Sequence, residues 1–206
     1  ESKIFLEEYL NSYTPVGEEY EGQKIWVDYV SKYTDTKELD PYGTAYCLLK
    51  SKNPDPKRVV IEAHVDEICW QVSQIESSGM LRVKRNGGSD NMIASSKSVV
   101  VRTHDGAYHR GVFGSPAVHV RKSYTEMSPD QHELWIDMGT DLEGVKALGI
   151  EVGNMAIFDD KFSQVGNYYT CRALDNKIGG YIIAETVRYI KENNIELPFD
   201  LFVVNS

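Results

Sequence analysis

The segment Arg58-Val59-Val60-Ile61-Glu62-Ala63-His64-Val65-Asp66-Glu67 is an apolar, strand-like run that ends in a histidine and two acids. Side chains two apart on a strand point to one face, so His64 and Asp66 are expected to project together from its end. That pairing has a chemistry. A neutral imidazole binds a metal through one nitrogen while its other N–H donates to a carboxylate, which fixes the tautomer and raises the basicity of the ligating nitrogen. The plain alternative is a hydrogen-bonded histidine at a strand end, followed by solvated acids. A further acid stands at the threshold of a helix. In Thr170-Cys171-Arg172-Ala173-Leu174-Asp175-Asn176-Lys177-Ile178-Gly179-Gly180, Asp175 precedes a run in which Ile178, Tyr181, Ile182, Ile183, Val187 and Ile190 recur at helical spacing. Its two oxygens suit it to bridge a pair of cations. They suit it equally to cap the first turn by accepting from free amides.

The elements that must position these residues can be read from the same pattern. Phe5, Leu6, Tyr9, Leu10 and Tyr13 recur at helical spacing before the break at Thr14-Pro15-Val16-Gly17. A second helix is expected over 23–33, with Ile25, Trp26, Tyr29, Val30 and Tyr33 facing inward. Strands over 36–39 and 44–50 flank the turn Asp40-Pro41-Tyr42-Gly43 and precede the strand that ends at His64. Such alternation predicts an α/β layer, where ligands collect at the carboxyl ends of strands. From about 70 to 163 the texture changes. Short strands over 70–75, 81–83, 98–103, 108–113, 134–138 and 155–158, with turns such as Ser77-Ser78-Gly79 and His104-Asp105-Gly106, predict a small β-barrel. One helix is expected inside it, from a capping-box pair of Thr140 and Glu143 to a stop at Gly149. The Asp175 helix and a strand over 199–204 return the chain to α/β. The expected division is therefore 1–69, an inserted barrel over 70–163, and 164–206. A buried-type strand just before the last residue reads as a domain whose C-terminal part is missing.

The 206 residues are 41% hydrophobic and 26% charged, ordinary for a globular chain with a substantial core. A net charge of −9 with a pI near 5.1 excludes a general nucleic-acid or anionic-membrane binder, which needs basic surface. No long apolar run or signal sequence stands out, so a cytoplasmic protein is expected. Cys47, Cys69 and Cys171 lack the paired spacing of a zinc knuckle or redox dithiol and read as buried thiols, with Cys69 or Cys171 as a minor thiolate-ligand alternative. His104, His109, His119 and His132 sit beside turns or polar residues in the barrel region and are expected to be exposed or locally hydrogen-bonded rather than ligating.

Taken together, Ala63-His64-Val65-Asp66-Glu67-Ile68 and Ala173-Leu174-Asp175-Asn176-Lys177 resemble the glutamyl and deblocking aminopeptidases that assemble as tetrahedral particles, a family also labelled cellulase or endoglucanase in older naming. Gly87-Gly88, Gly111-Val112-Phe113-Gly114-Ser115, Asp137-Met138-Gly139 and Leu148-Gly149-Ile150-Glu151-Val152-Gly153 follow in that family's order and extend the resemblance over nearly the whole chain. Cys69 departs from it, standing where the family usually has glycine. The resemblance implies a three-layer αβα metallopeptidase domain interrupted by a small β-barrel that serves dimerisation and access to the site. It implies an aminopeptidase acting on peptides with two divalent ions, zinc or cobalt, and a homo-oligomer in which dimers build a dodecamer. It further implies that His64 binds one ion, that Asp175 bridges both and that Asp66 orients His64 from behind. A paired-glutamate segment with the general base, and further aspartate and histidine ligands, would follow the strand over 199–204 and are absent from these 206 positions. Two other classes remain as alternatives: a non-catalytic assembly module of the same fold, and glycan hydrolysis, which needs two carboxylates flanking a glycosidic bond.

Overall fold

In the computed structural model, which describes residues 1–120 and 134–206, the chain divides into two units, one of Glu1–Glu67 with Lys161–Ser206 and one of Ile68–Asp160. The first is built on strands β1 (Thr36–Leu39), β2 (Ala45–Leu49), β3 (Lys57–Ala63) and β12 (Phe199–Asn205), hydrogen-bonded in the order β1-β2-β12-β3. β12 runs antiparallel to β2 and parallel to β3. Its register sets Leu201 between Leu49 and Val59, Val203 between Cys47 and Ile61, and Asn205 between Ala45 and Ala63. Alternation puts all of these on one face. That face packs with helices α1 (Ser2–Asn11), α2 (Tyr20–Val30) and α5 (Leu174–Glu192) around Phe5, Tyr9, Trp26, Val30, Ile183 and Val187. The opposite face is half-open: Leu48, Phe202 and Val204 are partly buried and Val60 is 60% exposed.

Two glycines let the helices close on the sheet. A Cβ at Gly22 of α2 would lie 2.5 Å from Thr14 Cγ2 and 2.7 Å from Val65 Cγ2, and one at Gly180 of α5 would lie 2.6 Å from the Tyr9 hydroxyl. The carbonyl of Gly180 accepts from Trp26 Nε1 at 2.9 Å. A buried polar network seals the end of β12. The Asn205 amide donates to the Tyr9 hydroxyl and to Gln23 Oε1, each at 2.9 Å, and Gln23 Nε2 donates to the Asn205 carbonyl at 2.7 Å. Every polar group in it finds a partner, as burial requires.

Burial pushes the Tyr9 phenol above its ordinary value, with the bond to Asn205 opposing. The unfolded chain releases that proton near about pH 10 and the folded chain only at higher pH. The stabilisation is therefore complete below about pH 10 and is lost as pH rises towards the folded value. Alkaline titration followed by circular dichroism is expected to show an unfolding component that Tyr9→Phe removes. An unchanged alkaline profile in that variant would contradict the assignment.

The second unit is a closed barrel of β4 (Cys69–Ile75), β5 (Leu81–Asn86), β6 (Ser98–Arg102), β7 (Tyr108–Gly114), β8 (Trp135–Asp137) and β9 (Met155–Phe158), in the order β4-β5-β8-β7-β6-β9. Closure removes the edges that short strands would otherwise leave unpaired. Its core centres on Trp70, whose ring lies 4.9 Å from Phe113 and 4.5 Å from Phe158. Helices α3 (Asn91–Ala94) and α4 (Leu142–Ala147) complete the unit.

Local chemistry shifts several expected boundaries. The second helix begins at Tyr20 and ends at Val30, ahead of the expected span, and Ile25 is only partly buried. α4 is capped by Asp141, whose side chain accepts from the Gly144 amide at 2.9 Å, so the Thr140 and Glu143 capping box does not form. A hairpin of β10 (Ser163–Val165) and β11 (Tyr168–Thr170) belongs to the first unit and was not expected.

Candidate metal centre

β3 ends at Ala63, and the parallel pairing with β12 continues past it. Ser206 donates its amide to the Ala63 carbonyl and accepts from the Val65 amide, each at 2.9 Å. His64 is therefore held on both sides at the carboxyl end of two parallel strands, the position at which α/β sheets place their ligands. Its Nδ1 lies 2.8 Å from Asp66 Oδ1, and its Nε2 lies 3.4 Å from Asp175 Oδ1.

Asp175 reaches His64 because the start of α5 is irregular. Ala173 is left-handed, with φ of 56°, and Asp175 and Asn176 have non-helical backbone angles, so regular turns begin at Lys177. The Asp175 side chain is 96% exposed and, among the described residues, accepts from no first-turn amide. The capping alternative is not what the carboxylate does.

The arrangement is chemically one-sided. A neutral imidazole has one N–H. If Nδ1 donates it to Asp66, the Nε2 lone pair faces a carboxylate oxygen, acceptor against acceptor. A proton or a cation resolves this. For zinc, with metal–nitrogen and metal–oxygen distances of about 2.1 Å and tetrahedral angles, two ligand atoms lie roughly 3.4 Å apart. The observed N···O separation of 3.4 Å fits that spacing, and imidazole with carboxylate is a donor set that zinc, cobalt or manganese accepts. Among the described residues no group of three His, Cys, Asp or Glu side chains is arranged to hold a metal ion. These residues could supply two donors and one orienting carboxylate.

Beneath the pair lies an ionic cluster that sequence reasoning missed. Glu67 is 4% exposed rather than solvated. Its Oε2 accepts from Arg172 Nε at 2.8 Å, and its Oε1 lies 3.7 Å from Lys177 Nζ and accepts from the Thr14 amide at 3.0 Å and the Thr14 hydroxyl at 3.2 Å. Arg172 Nη2 donates to the carbonyls of Asn11 and Ser12, each at 2.9 Å, and Lys177 Nζ donates to the Ser12 carbonyl at 2.8 Å. Burial pushes the Lys177 ammonium down to about 8, with Glu67 pulling the other way. The available signal was a Glu directly after the His-x-Asp motif and two cations flanking Asp175.

The thiol of Cys171 donates to the Leu10 carbonyl at 3.5 Å, and burial pushes it up, which disfavours the thiolate. Cys69 is buried with its sulfur 4.0 Å from Met155 Sδ. Of the barrel histidines, His104 is exposed and lies 3.9 Å from Glu151, whereas His109 Nε2 is buried and finds no hydrogen-bond partner among the described residues, contrary to the expectation. His132 lies outside the described residues.

Comparison with known proteins bears on this geometry. A model of the M42 glutamyl aminopeptidase family matches residues 43–206. FrvX of Escherichia coli K12 is 30% identical over 184 residues, covering 88% of this chain and 51% of that protein. A TET aminopeptidase from a marine-sediment Thaumarchaeota archaeon superposes with a TM-score of 0.92 at 26% identity, over 100% of this chain and 58% of the other. The TET1 peptidase of Pyrococcus horikoshii, described as assembling into a tetrahedron or a large octahedral shell, shares the fold with a TM-score of 0.83 at 21% identity, over 100% and 61%. The chain spans little more than half the length of these proteins. Among the described residues no helix is long and apolar enough to cross a membrane.

Proposed function

Because the chain belongs to the M42 glutamyl aminopeptidase family, we propose that the intact protein is a metal-dependent aminopeptidase that releases N-terminal residues from peptides. In this reading His64 and Asp175 are ligands of a pair of divalent ions, zinc or cobalt, and Asp66 orients His64. The observation that carries it is the histidine with a carboxylate at each nitrogen, at 2.8 Å and 3.4 Å.

Asp66 accepts the Nδ1 proton and so keeps the Nε2 lone pair free to ligate. Asp175, exposed and unencumbered by the helix, presents two oxygens to the same space. When bound, the ions supply Lewis-acid polarisation of a peptide carbonyl and a water acidic enough to serve as nucleophile near neutral pH. The resemblance implies that a glutamate base follows residue 206. The pairing of Ser206 with Ala63 and Val65 would bring such a segment in beside His64. The half-open sheet face with Val60 and Phe202 supports a third layer of helices, giving the αβα arrangement. The barrel unit is assigned to dimerisation and access, with dimers building a dodecamer. Three cysteines that form no disulfide among the described residues, and an acidic balance, fit a cytoplasmic protein.

Assay of the intact protein on amino-acid anilides is expected to show activity that a chelator removes and added zinc or cobalt restores. Release that is indifferent to chelation overturns the reading. One observation favours the non-catalytic module: no three-residue ligating group exists among the described residues. Metal analysis separates the two, since a scaffold purifies without stoichiometric metal.

A further inference from the structure

We propose that Glu67, Arg172 and Lys177 act as a positioning clasp for the metal pair, setting the separation of His64 and Asp175 by tying the segment after β3 to the start of α5. The inference rests on the reading of His64 and Asp175 as metal ligands and adds residues that touch neither the metal nor the substrate.

Asp175 cannot hold its own place. Its side chain is 96% exposed, its backbone angles are non-helical, and its Oδ1 lies 3.4 Å from His64 Nε2. The neighbours on either side of it are anchored instead. Arg172 precedes Asp175 in the chain and Lys177 follows it, and their side chains are 7% and 0% exposed. Both converge on Glu67, which directly follows Asp66. The chain carrying one ligand is thus pinned at two points to the chain carrying the other.

The bonds are directional. Arg172 uses a planar fork with Nε on Glu67 Oε2 and Nη2 on the carbonyls of Asn11 and Ser12. The other oxygen of Glu67 is fixed by the Thr14 amide and hydroxyl. Buried ion pairs are poor sources of stability, because an apolar replacement of similar volume is often as stable or more so. What they supply is angle and distance. At a site where two ligand atoms must sit 3.4 Å apart, that is the property a metal needs from its surroundings.

The test measures zinc and cobalt affinity of the intact protein by chelator competition, beside its thermal midpoint, for Arg172→Lys, Thr14→Val and a control, Tyr9→Phe. Arg172→Lys keeps the positive charge and loses the fork. Thr14→Val keeps the shape and loses one bond to Glu67, and it decides the matter should Arg172→Lys fail to fold. Tyr9→Phe disturbs a buried network that is not tied to Glu67. Arg172→Lys is expected to weaken metal binding by roughly 10- to 100-fold, the range for partners behind a ligand, with a smaller loss in Thr14→Val. The cobalt visible spectrum is expected to change in the same variants. Tyr9→Phe is expected to lower the midpoint and leave affinity unchanged. Clasp variants that fold and bind metal like the wild type overturn the proposal, as does a loss of affinity in Tyr9→Phe that matches theirs. If His64→Ala binds metal as well as the wild type, it is the ligand reading that fails.

Discussion

In the intact protein, His64→Ala and Asp175→Ala are each expected to abolish chelator-sensitive aminopeptidase activity. The loss should exceed the roughly 10- to 100-fold that removal of an outer hydrogen-bond partner costs. The reasoning follows from the donors. On the metal-ligand reading, His64 Nε2 and Asp175 Oδ1, 3.4 Å apart, are each a coordination position, so deleting either removes one rather than a bias on one. Asp66→Asn should behave differently. An amide in that place can still accept from Nδ1, but it can also turn its NH₂ towards the ring and favour the tautomer that blocks Nε2. That variant is expected to retain measurable kcat/KM, improved by excess zinc, whereas the two ligand variants stay inactive at any metal concentration. Equal losses in all three would remove the distinction between ligand and orienter.

The second large effect is on stability. Glu67→Ala strips the buried Arg172 guanidinium of the carboxylate it donates to, and strips Lys177 of the carboxylate that favours its charged form. Stripping one partner from a buried pair costs about 3 to 5 kcal/mol, which for a protein of this size lowers the thermal midpoint by about 6 to 20 °C. The double variant Glu67→Leu with Arg172→Met should recover much of that loss, because it removes the closer buried cation along with the anion and refills the space. Lys177, its ammonium already pushed down to about 8 by burial, can shed its proton. Differential scanning calorimetry of the metal-free protein measures both. A Glu67→Ala midpoint within a degree or two of the wild type would mean that the cluster is more hydrated than its exposure implies.

Much of this was legible in the sequence where a single period ran long enough. The apolar run through β3 and the i, i+2 spacing beyond it were enough to expect His64 and Asp66 on one side, and they meet at 2.8 Å. The helical spacing after Asp175 marked α5, and the short strands with glycine turns marked the barrel. Glu67 enters the sequence reading only among the solvated acids of the plain alternative, because residue type is the first guide to burial. Its partners Arg172 and Lys177 are distant in the chain, and no local pattern links them. The β10–β11 hairpin has strands of three exposed residues with no apolar alternation to see, although Gly166-Asn167 between them is a hairpin turn signal. At α4 the competition between Thr140 and Asp141 for the cap was decided by backbone angles, which a motif of fixed spacing cannot resolve.

The parallel pairing of β12 with β3 joins Ala63 to Ser206 across 143 positions, and this orders events during synthesis. The barrel closes on contacts within Ile68–Asp160, so it can mature while the ribosome is still extending the chain. β3 has no parallel neighbour until β12 emerges, and closing so long a loop must precede any reward from the contacts. His64 thus waits, unsupported on one flank, through the making of an entire second unit. A nascent chain stalled before residue 199 would carry a finished barrel beside a β3 that still lacks its β12 partner.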